Sequence, residues 1–156
     1  FLAFVRGDAM EGAEAVDAVA LAREVLDRLG GREWLVEVIG TPAPVVLRPQ
    51  AVSRALENLV SNAIRFGKVV QVRLEFRDHA LVFRVEDDGP GIAPESRAEA
   101  LKPFTRLDRS RDPNRGGGVG LGLSIAADVA LSHGGTLSLS QSEGLGGLRA
   151  DLVIAR

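Results

Sequence analysis

A stripe of apolar residues at helical spacing, between Pro49 and Gly67, constrains the fold of this chain more than any other feature. Pro49 suits the first turn of a helix. The stripe recurs every three or four positions, as a helix buried along one side requires, and its members are Val52, Ala55, Leu56, Leu59, Val60, Ala63 and Ile64. Directly after it, residues 69–77 alternate apolar and polar side chains, which is typical of a strand with one buried face and one wet face. The two together predict a helix layer packed on a sheet.

The other segments predict the rest of a single α/β domain, because 156 residues is about the size of one domain. Asp17 is a good N-cap for a helix that the Gly30-Gly31 pair ends. The remaining predicted elements are short strands at 34–40 and 45–48, a strand at 81–86 antiparallel to 69–77, a short helix at 94–102, a helix at 122–134, and a closing hairpin of 136–141 and 148–155. This order predicts a two-layer α/β sandwich, with a mixed sheet covered on one face by helices.

Composition excludes several classes of function. There is no cysteine, which excludes disulfide frameworks, thiolate zinc sites and cysteine nucleophiles. The chain has only two histidines, His79 and His133, and we predict structural roles for both. The formal net charge of −2 gives no reason to expect nucleic acid as a partner, and no apolar run approaches the ~18 residues that span a bilayer. Residues 1–10 lack a signal-peptide pattern, and we expect them to be a linker or the tail of an upstream helix in a longer protein.

Asn58 and Asn62 lie one helical turn apart at the edge of the apolar stripe, so their amides project from nearly the same face. Two exposed amides on a surface helix would explain the pair. A functional interpretation is that they supply oxygen ligands to a hard cation such as Mg²⁺, with Arg65 near phosphate oxygens.

The loop Asp87-Asp88-Gly89-Pro90-Gly91 directly follows a predicted strand. Glycine and proline are the usual residues of a turn, so the loop has a purely structural explanation. Alternatively, a carboxylate at the end of a strand, beside glycines that admit a ligand, can accept a hydrogen bond from an exocyclic amine.

Glycines are densest in residues 116–122, which run into a predicted helix. The segment lacks the third glycine of the dinucleotide fingerprint and the Gly-Lys-Ser/Thr of a Walker loop. It is a glycine-rich loop at a helix N-terminus, where backbone N–H groups and the helix dipole favour an anion. The alternative is a flexible linker. The arginines before it, such as Arg106 and Arg109, alternate with aspartates and form either a solvated charge run or contacts that close over a nucleotide.

In this order the segments resemble the ATP-binding catalytic domain of sensor histidine kinases, in the superfamily shared with gyrase B and MutL. ALENLVSNAIRFG resembles the family's asparagine box, VEDDGPGIAPE its first glycine box, PFTRLD its phenylalanine box and GGGVGLGLSI its second glycine box. The late HGGTLSL segment matches as well, and the likeness covers roughly residues 16 to 155. It implies the Bergerat fold, with residues 13–156 as the catalytic domain and residues 1–12 as the tail of the upstream helix or a linker. The residues of the first glycine box and the phenylalanine box are similar to those of the EnvZ-like subgroup.

The resemblance implies a role for each matching position. Asn62 would hold Mg²⁺ with help from Asn58, and Arg65 and Arg106 would approach the phosphates. Phe66 would pack near the base, and Asp87 would accept a hydrogen bond from the adenine amine. The other implied contacts of ATP are Gly89, Gly91, Ile92, Gly118, Gly120, Leu121, Gly122 and Leu123. Residues from about 105 to 118 would form a lid over the triphosphate.

The residue at position 58 separates branches of the superfamily, since the hydrolysing relatives carry a glutamate where this chain has Asn58. An amide has no useful basicity near neutral pH and cannot activate water. Glu57 points about 100° away around the helix. ATP should therefore be kept intact for an external acceptor. The chain departs from the family in two respects: no histidine has the family's acceptor pattern, and Val119 replaces a small or hydroxylated residue.

These observations predict the catalytic half of a bacterial two-component sensor histidine kinase. It would transfer the γ-phosphoryl of Mg-ATP to a histidine on separate dimerisation helices, for relay to a response regulator. The parent protein would be a homodimer in the bacterial inner membrane, with this domain in the cytoplasm. Two alternatives are a serine kinase of the anti-sigma-factor type and a non-enzymatic domain that binds nucleotide for regulation.

Overall fold

The computed structural model describes residues 11–102 and 122–156, which form helices on one side of a sheet. The helices are α1 (Ala18–Arg28), α2 (Pro49–Phe66), α3 (Arg97–Ala100) and α4 (Gly122–Ser132). The strands are β1 (Glu14–Val16), β2 (Leu35–Ile39), β3 (Val45–Leu47), β4 (Val70–Phe76), β5 (Ala80–Asp87), β6 (Leu137–Gln141) and β7 (Leu148–Ala155). Single turns of 3₁₀ helix lie at Arg32–Trp34 and Pro94–Ser96.

Five strands form one mixed sheet in the order β2-β4-β5-β7-β6. Strand β2 runs parallel to β4, and every other neighbouring pair is antiparallel. β6 and β7 are the predicted closing hairpin. The short strands β1 and β3 form a separate antiparallel pair, in which Glu14 lies opposite Leu47. The predicted α/β sandwich with a mixed sheet is confirmed.

The alternation in β4 decides which face of the sheet is buried. Val70, Val72, Leu74 and Phe76 are buried, whereas the residues between them are partly exposed. The buried residues of β4 belong to one core cluster with buried side chains of α1, α2 and α4. The predicted layer of helices on one face of the sheet is therefore confirmed, and the apolar stripe of α2 lies at its centre, with Leu56 and Val60 fully buried.

Ion pairs cover the opposite face of the sheet. Arg84 bonds Asp151 across the β5–β7 pair at 3.0 Å and Glu75 across the β4–β5 pair at 3.3 Å. A hydrogen bond from Arg77, and then the charges of Arg77 and Arg84, lower the pKa of Glu75. This is the wet face that the alternation in 69–77 predicts.

The local predictions of helix ends also agree with the structure. Asp17 is the N-cap of α1, and its carboxylate accepts a hydrogen bond from the Ala20 N–H at 3.1 Å. Gly30 follows α1 with φ +84° and Gly134 follows α4 with φ +75°, a backbone region that glycine enters without strain.

Two segments differ from the sequence prediction. The helix predicted at 94–102 is a 3₁₀ turn followed by only four α-helical residues, and the three-residue strand β1 was not predicted at all. The predicted lid at 105–118 lies outside the described residues. Within residues 11–102 and 122–156, every helix is too short or too polar to span a membrane.

Candidate functional site

Helix α2 positions the two amides of the asparagine pair. Its buried side is the apolar stripe from Val52 to Ala63, and Asn58 and Asn62 lie beside that stripe with partly exposed side chains. Ile64, predicted as the last member of the stripe, is instead 40% exposed. The N-cap residue, Arg48, provides no side-chain cap. Instead, the Glu11 carboxylate accepts hydrogen bonds from the N–H groups of Gln50 and of the next residue, at 2.8 and 3.1 Å. A carboxylate brought from the start of the described chain therefore caps the helix that carries the amides.

Glu57 points away from the asparagine side of α2. Its carboxylate lies 3.5 Å from the guanidinium of Arg28 on α1, and both side chains are about half exposed. The ion pair holds the Glu57 carboxylate on the side of α2 that faces α1, as the helical geometry predicts. On this side of α2 the chain therefore presents the amides of Asn58 and Asn62 and keeps the adjacent carboxylate on the side of α1.

Helix α4 packs against α2, and its first residue lies beside Asn58. A Cβ built on Gly122 would lie 3.9 Å from the Cβ of Asn58. Leu123 packs against the main core and also against a small cluster of Ile92, Ala100 and Leu148. The predicted nucleotide contacts Gly122 and Leu123 are thus brought next to Asn58 and Ile92, from segments more than 30 residues apart.

Asp87 is the last residue of β5, and only 2% of it is exposed. Side chains alternate along a strand, so it lies on the same sheet face as Phe83 and Val85, the face that the helices cover. Its Oδ1 accepts hydrogen bonds from the N–H groups of Gly89, at 2.8 Å, and Leu148, at 3.3 Å. These two N–H groups give the buried carboxylate oxygen hydrogen-bond partners, as a buried polar group requires.

The end of α2 and the loop after β5 are held together. A Cβ on Gly89 would lie 2.5 Å from the carbonyl oxygen of Phe66, so only glycine fits here. Oδ1 of Asp88 accepts from the N–H groups of Lys68 and Val69 at 2.7 and 2.9 Å. These two bonds, that of Val69 most, lower the pKa of the exposed Asp88 carboxyl. The backbone of Phe66, the predicted base contact, therefore lies against the loop after β5.

The side chains of the asparagine pair have the chemistry that the implied magnesium ion requires. Magnesium prefers oxygen ligands and commonly takes one or two from the protein and the rest from phosphates and water. The two amides suit that mode, and among residues 11–102 and 122–156 no group of three or more histidines, aspartates and glutamates converges on a metal position.

The other predicted contacts of the nucleotide are only partly described. Gly91, with φ +70°, lies against Gly147, while Arg65 is partly exposed one turn after the asparagine pair. Arg106, Gly118, Gly120 and Leu121 lie outside the described residues.

Sequence reasoning missed the role of His133. Its Nε2 accepts a hydrogen bond from the backbone N–H of Arg48 at 3.1 Å, and its Nδ1 lies 2.7 Å from the carbonyl oxygen of Val129. The first contact requires an unprotonated Nε2 and the second a proton on Nδ1. The ring therefore joins the end of α4 to the N-cap residue of α2, and Ser132 adds a hydrogen bond with the Arg48 guanidinium. The predicted structural role is confirmed, but no local pattern in the sequence indicates Arg48 as the partner.

The turn between β6 and β7 was also missed as part of the site. The backbone N–H of Gly147 donates to the carbonyl oxygen of Asp87 at 3.1 Å, and that of Leu148 reaches the Asp87 carboxylate. The sequence predicts this segment only as the turn of the closing hairpin. Its contact with a strand end some 60 residues earlier has no local signature in the sequence.

Comparison with known proteins identifies the family. Residues 47–154 match the family described as histidine kinase-, DNA gyrase B-, and HSP90-like ATPase. The chain is 40% identical over 153 residues to sensor histidine kinase GtrS of Pseudomonas aeruginosa and 36% identical over 143 residues to sensor histidine kinase CpxA of Escherichia coli. The alignments cover 96% and 87% of this chain, but 30% and 31% of the two relatives. The chain thus spans about a third of their length.

Solved structures agree with this assignment. The mycobacterial sensor histidine kinase MprB has a TM-score of 0.74 and 28% identity, covering 92% of this chain and 97% of that one. The histidine kinase domain of the E. coli osmosensor EnvZ has a TM-score of 0.61 and 34% identity, covering 92% and 88%. These relatives support the histidine kinase interpretation rather than the anti-sigma-factor alternative. The chain belongs to the histidine kinase-, DNA gyrase B-, and HSP90-like ATPase family, and it is homologous to the ATP-binding domains of sensor histidine kinases.

Proposed function

We propose that this chain binds Mg-ATP between α2, the end of β5 and the start of α4, and transfers the γ-phosphoryl to a histidine on separate dimerisation helices. An aspartate of a response regulator then receives the phosphoryl group. The observation that carries the proposal is the placement of Asn58 beside the start of α4, with Asn62 one helical turn further along α2 and Glu57 turned to Arg28.

The described residues have distinct parts in this proposal. Asn62, with Asn58, would hold Mg²⁺, which would supply positive charge to stabilise the phosphates during transfer. The Asp87 carboxylate, fixed by backbone N–H groups, would accept a hydrogen bond from the 6-amino group of adenine. Because Asn58 cannot take a proton from water, the site positions ATP without promoting its hydrolysis. Arg65 would contact the phosphates.

The residues outside the described ranges complete the proposal. We assign phosphate contacts to Arg106 and to the backbone at Gly118, Gly120 and Leu121, on the motif resemblance alone. We also propose residues 13–156 as the catalytic domain and residues 1–12 as its connection to the dimerisation helices. The parent protein would be a homodimer in the bacterial inner membrane, with this domain in the cytoplasm.

Nucleotide binding is tested on the purified chain with a fluorescent ATP analogue. We expect saturable, Mg²⁺-dependent binding that unlabelled ATP displaces. Asn62→Ala should lose the Mg²⁺ dependence, whereas Ser61→Ala, on the neighbouring position of α2, should retain it. Absence of saturable binding by the wild-type chain would refute the proposal.

Phosphoryl transfer is tested by adding the dimerisation helices of the parent protein as a separate polypeptide with γ-labelled ATP. We expect acid-labile phosphohistidine on the helices and no label on this chain. A chain that binds ATP but leaves the helices unlabelled would instead be a nucleotide-binding regulatory domain.

A further inference from the structure

The turn after β6 and the first residue of β7 make two backbone hydrogen bonds to Asp87. The N–H of Gly147 donates to the Asp87 carbonyl oxygen at 3.1 Å, and the N–H of Leu148 donates to Oδ1 at 3.3 Å. Since Gly89 also donates to Oδ1, this oxygen is held from two separate segments. The rotation of the carboxylate is therefore set partly by the turn.

There is no room for a side chain at Gly147. A Cβ built there would lie 2.5 Å from Asp87 Oδ1 and 2.6 Å from the Gly89 nitrogen, and closer still to the Asp87 carbonyl oxygen. Unlike Gly146, which has φ +87°, Gly147 does not have a positive φ. Glycine is required here by the approach of Asp87 and not by the backbone conformation.

The turn itself is fastened to the residue before Asp87. Ser142 is fully buried, and its hydroxyl donates to Glu86 at 2.6 Å while accepting from the Leu145 N–H at 3.1 Å. The Ser142 N–H donates to the Gly147 carbonyl oxygen at 2.8 Å. Glu86 and Asp87 point to opposite faces of β5, so the turn is held to the end of the strand from both sides.

We propose that Gly147 is a positioning residue for recognition of the adenine base, because it lets the β6–β7 turn close on Asp87 and fix its carboxylate. The inference rests on the proposed function, in which Asp87 reads the 6-amino group. Gly147 touches no substrate in this proposal and acts only through Asp87. A side chain at this position would turn the carboxylate and weaken discrimination at the 6-position of the purine.

The test compares ATP with purine riboside triphosphate, which lacks the 6-amino group, as competitors of a fluorescent ATP analogue. The ratio of the two affinities measures recognition of that group. We expect Gly147→Ala to lower the ratio about tenfold, the effect of roughly one hydrogen bond. Gly144→Ala is the matched control, since a Cβ there has nothing within 4 Å and Gly144 lacks a positive φ; its ratio should stay within about twofold of wild type.

Two further variants separate a positioning role from a loss of folding. Asp87→Asn should lower the ratio by itself, and Gly147→Ala in that background should lower it no further. If Gly147→Ala does not fold, Ser142→Ala replaces it, since it loosens the turn without crowding Asp87, and its ratio should also fall. An unchanged ratio in a folded Gly147→Ala, or in Ser142→Ala if it is needed, would overturn the inference while wild-type ATP binding stands. Failure of the wild-type chain to bind ATP would refute the proposed function instead.

Discussion

Replacement of His133 by alanine should destabilise the domain, although the residue lies at the end of a helix and is only half buried. The ring spans 85 residues of sequence, from the last turn of α4 to Arg48 at the start of α2. Alanine removes both ring contacts, the one to the Arg48 N–H and the one to the Val129 carbonyl oxygen. No backbone strain is expected, because the His133 N–H keeps its bonds within α4.

The size of the effect follows from the fate of each partner. The Val129 carbonyl oxygen still accepts a hydrogen bond from the Ser132 hydroxyl at 2.8 Å. Removing its hydrogen bond with His133 should therefore cost about 1 kcal/mol, the value of one ordinary hydrogen bond. The Arg48 N–H loses its partner in a partly buried position, which costs about 1 kcal/mol or somewhat more. The sum is about 2 kcal/mol, and for a domain of this size it lowers the Tm by roughly 4–8 °C.

Urea and thermal unfolding followed by circular dichroism measure this loss. His79→Ala is the control, because His79 is exposed in the turn between β4 and β5, and it should change the stability by less than about 0.5 kcal/mol. His133→Asn retains a donor near the position of Nδ1 and should lose about half as much as His133→Ala. A His133→Ala protein within about 0.5 kcal/mol of wild type would refute the reasoning that this ring joins α4 to α2.

Three further predictions concern groups around α2 and the loop after β5. Glu11→Ala should cost about 1 kcal/mol in chemical unfolding, because it removes the carboxylate that caps α2, whereas Glu14→Ala, exposed in β1, should have little effect. Asp88→Asn should be less stable than wild type at pH 7. The folded pKa of Asp88 is lowered, so its contribution is present above the unfolded pKa and is lost as the pH falls through the folded value; the difference should shrink below about pH 4. Asn62→Ala should weaken binding of an ATP analogue about tenfold with Mg²⁺ and much less with EDTA, and an equal loss in both conditions would contradict a metal-binding role.

Periodic and capping signals predicted the parts of the fold that are local in sequence. The stripe from Val52 to Ile64 became α2, the alternation in 69–77 became β4, and Asp17 became an N-cap. In each case the residues that form the sequence pattern all lie in, or directly beside, the element that the pattern predicts. The mixed sheet with helices on one face followed because each of these elements has only one apolar side to bury.

What the sequence did not predict depends on contacts between distant segments. Strand β1 has three residues and no alternation long enough to recognise, and it exists because it pairs with β3. Glu11 caps a helix that begins 38 positions later. Gly147 meets Asp87 across 60 positions. None of these partners could be chosen without the fold, because many residues of the same types occur elsewhere in the chain.

The packing of α2 also fixes what the candidate site can do chemically. A shift of one residue in the phase of this helix would turn every side chain by about 100°. It would then place the Glu57 carboxylate, now paired with Arg28, near the start of α4 in place of the Asn58 amide. The buried stripe opposes that shift, since it would move side chains such as Leu56 and Val60 to partly exposed positions, and the burial of each is worth about 1.5–3 kcal/mol. The core of the domain therefore keeps a potential general base out of the proposed phosphate site.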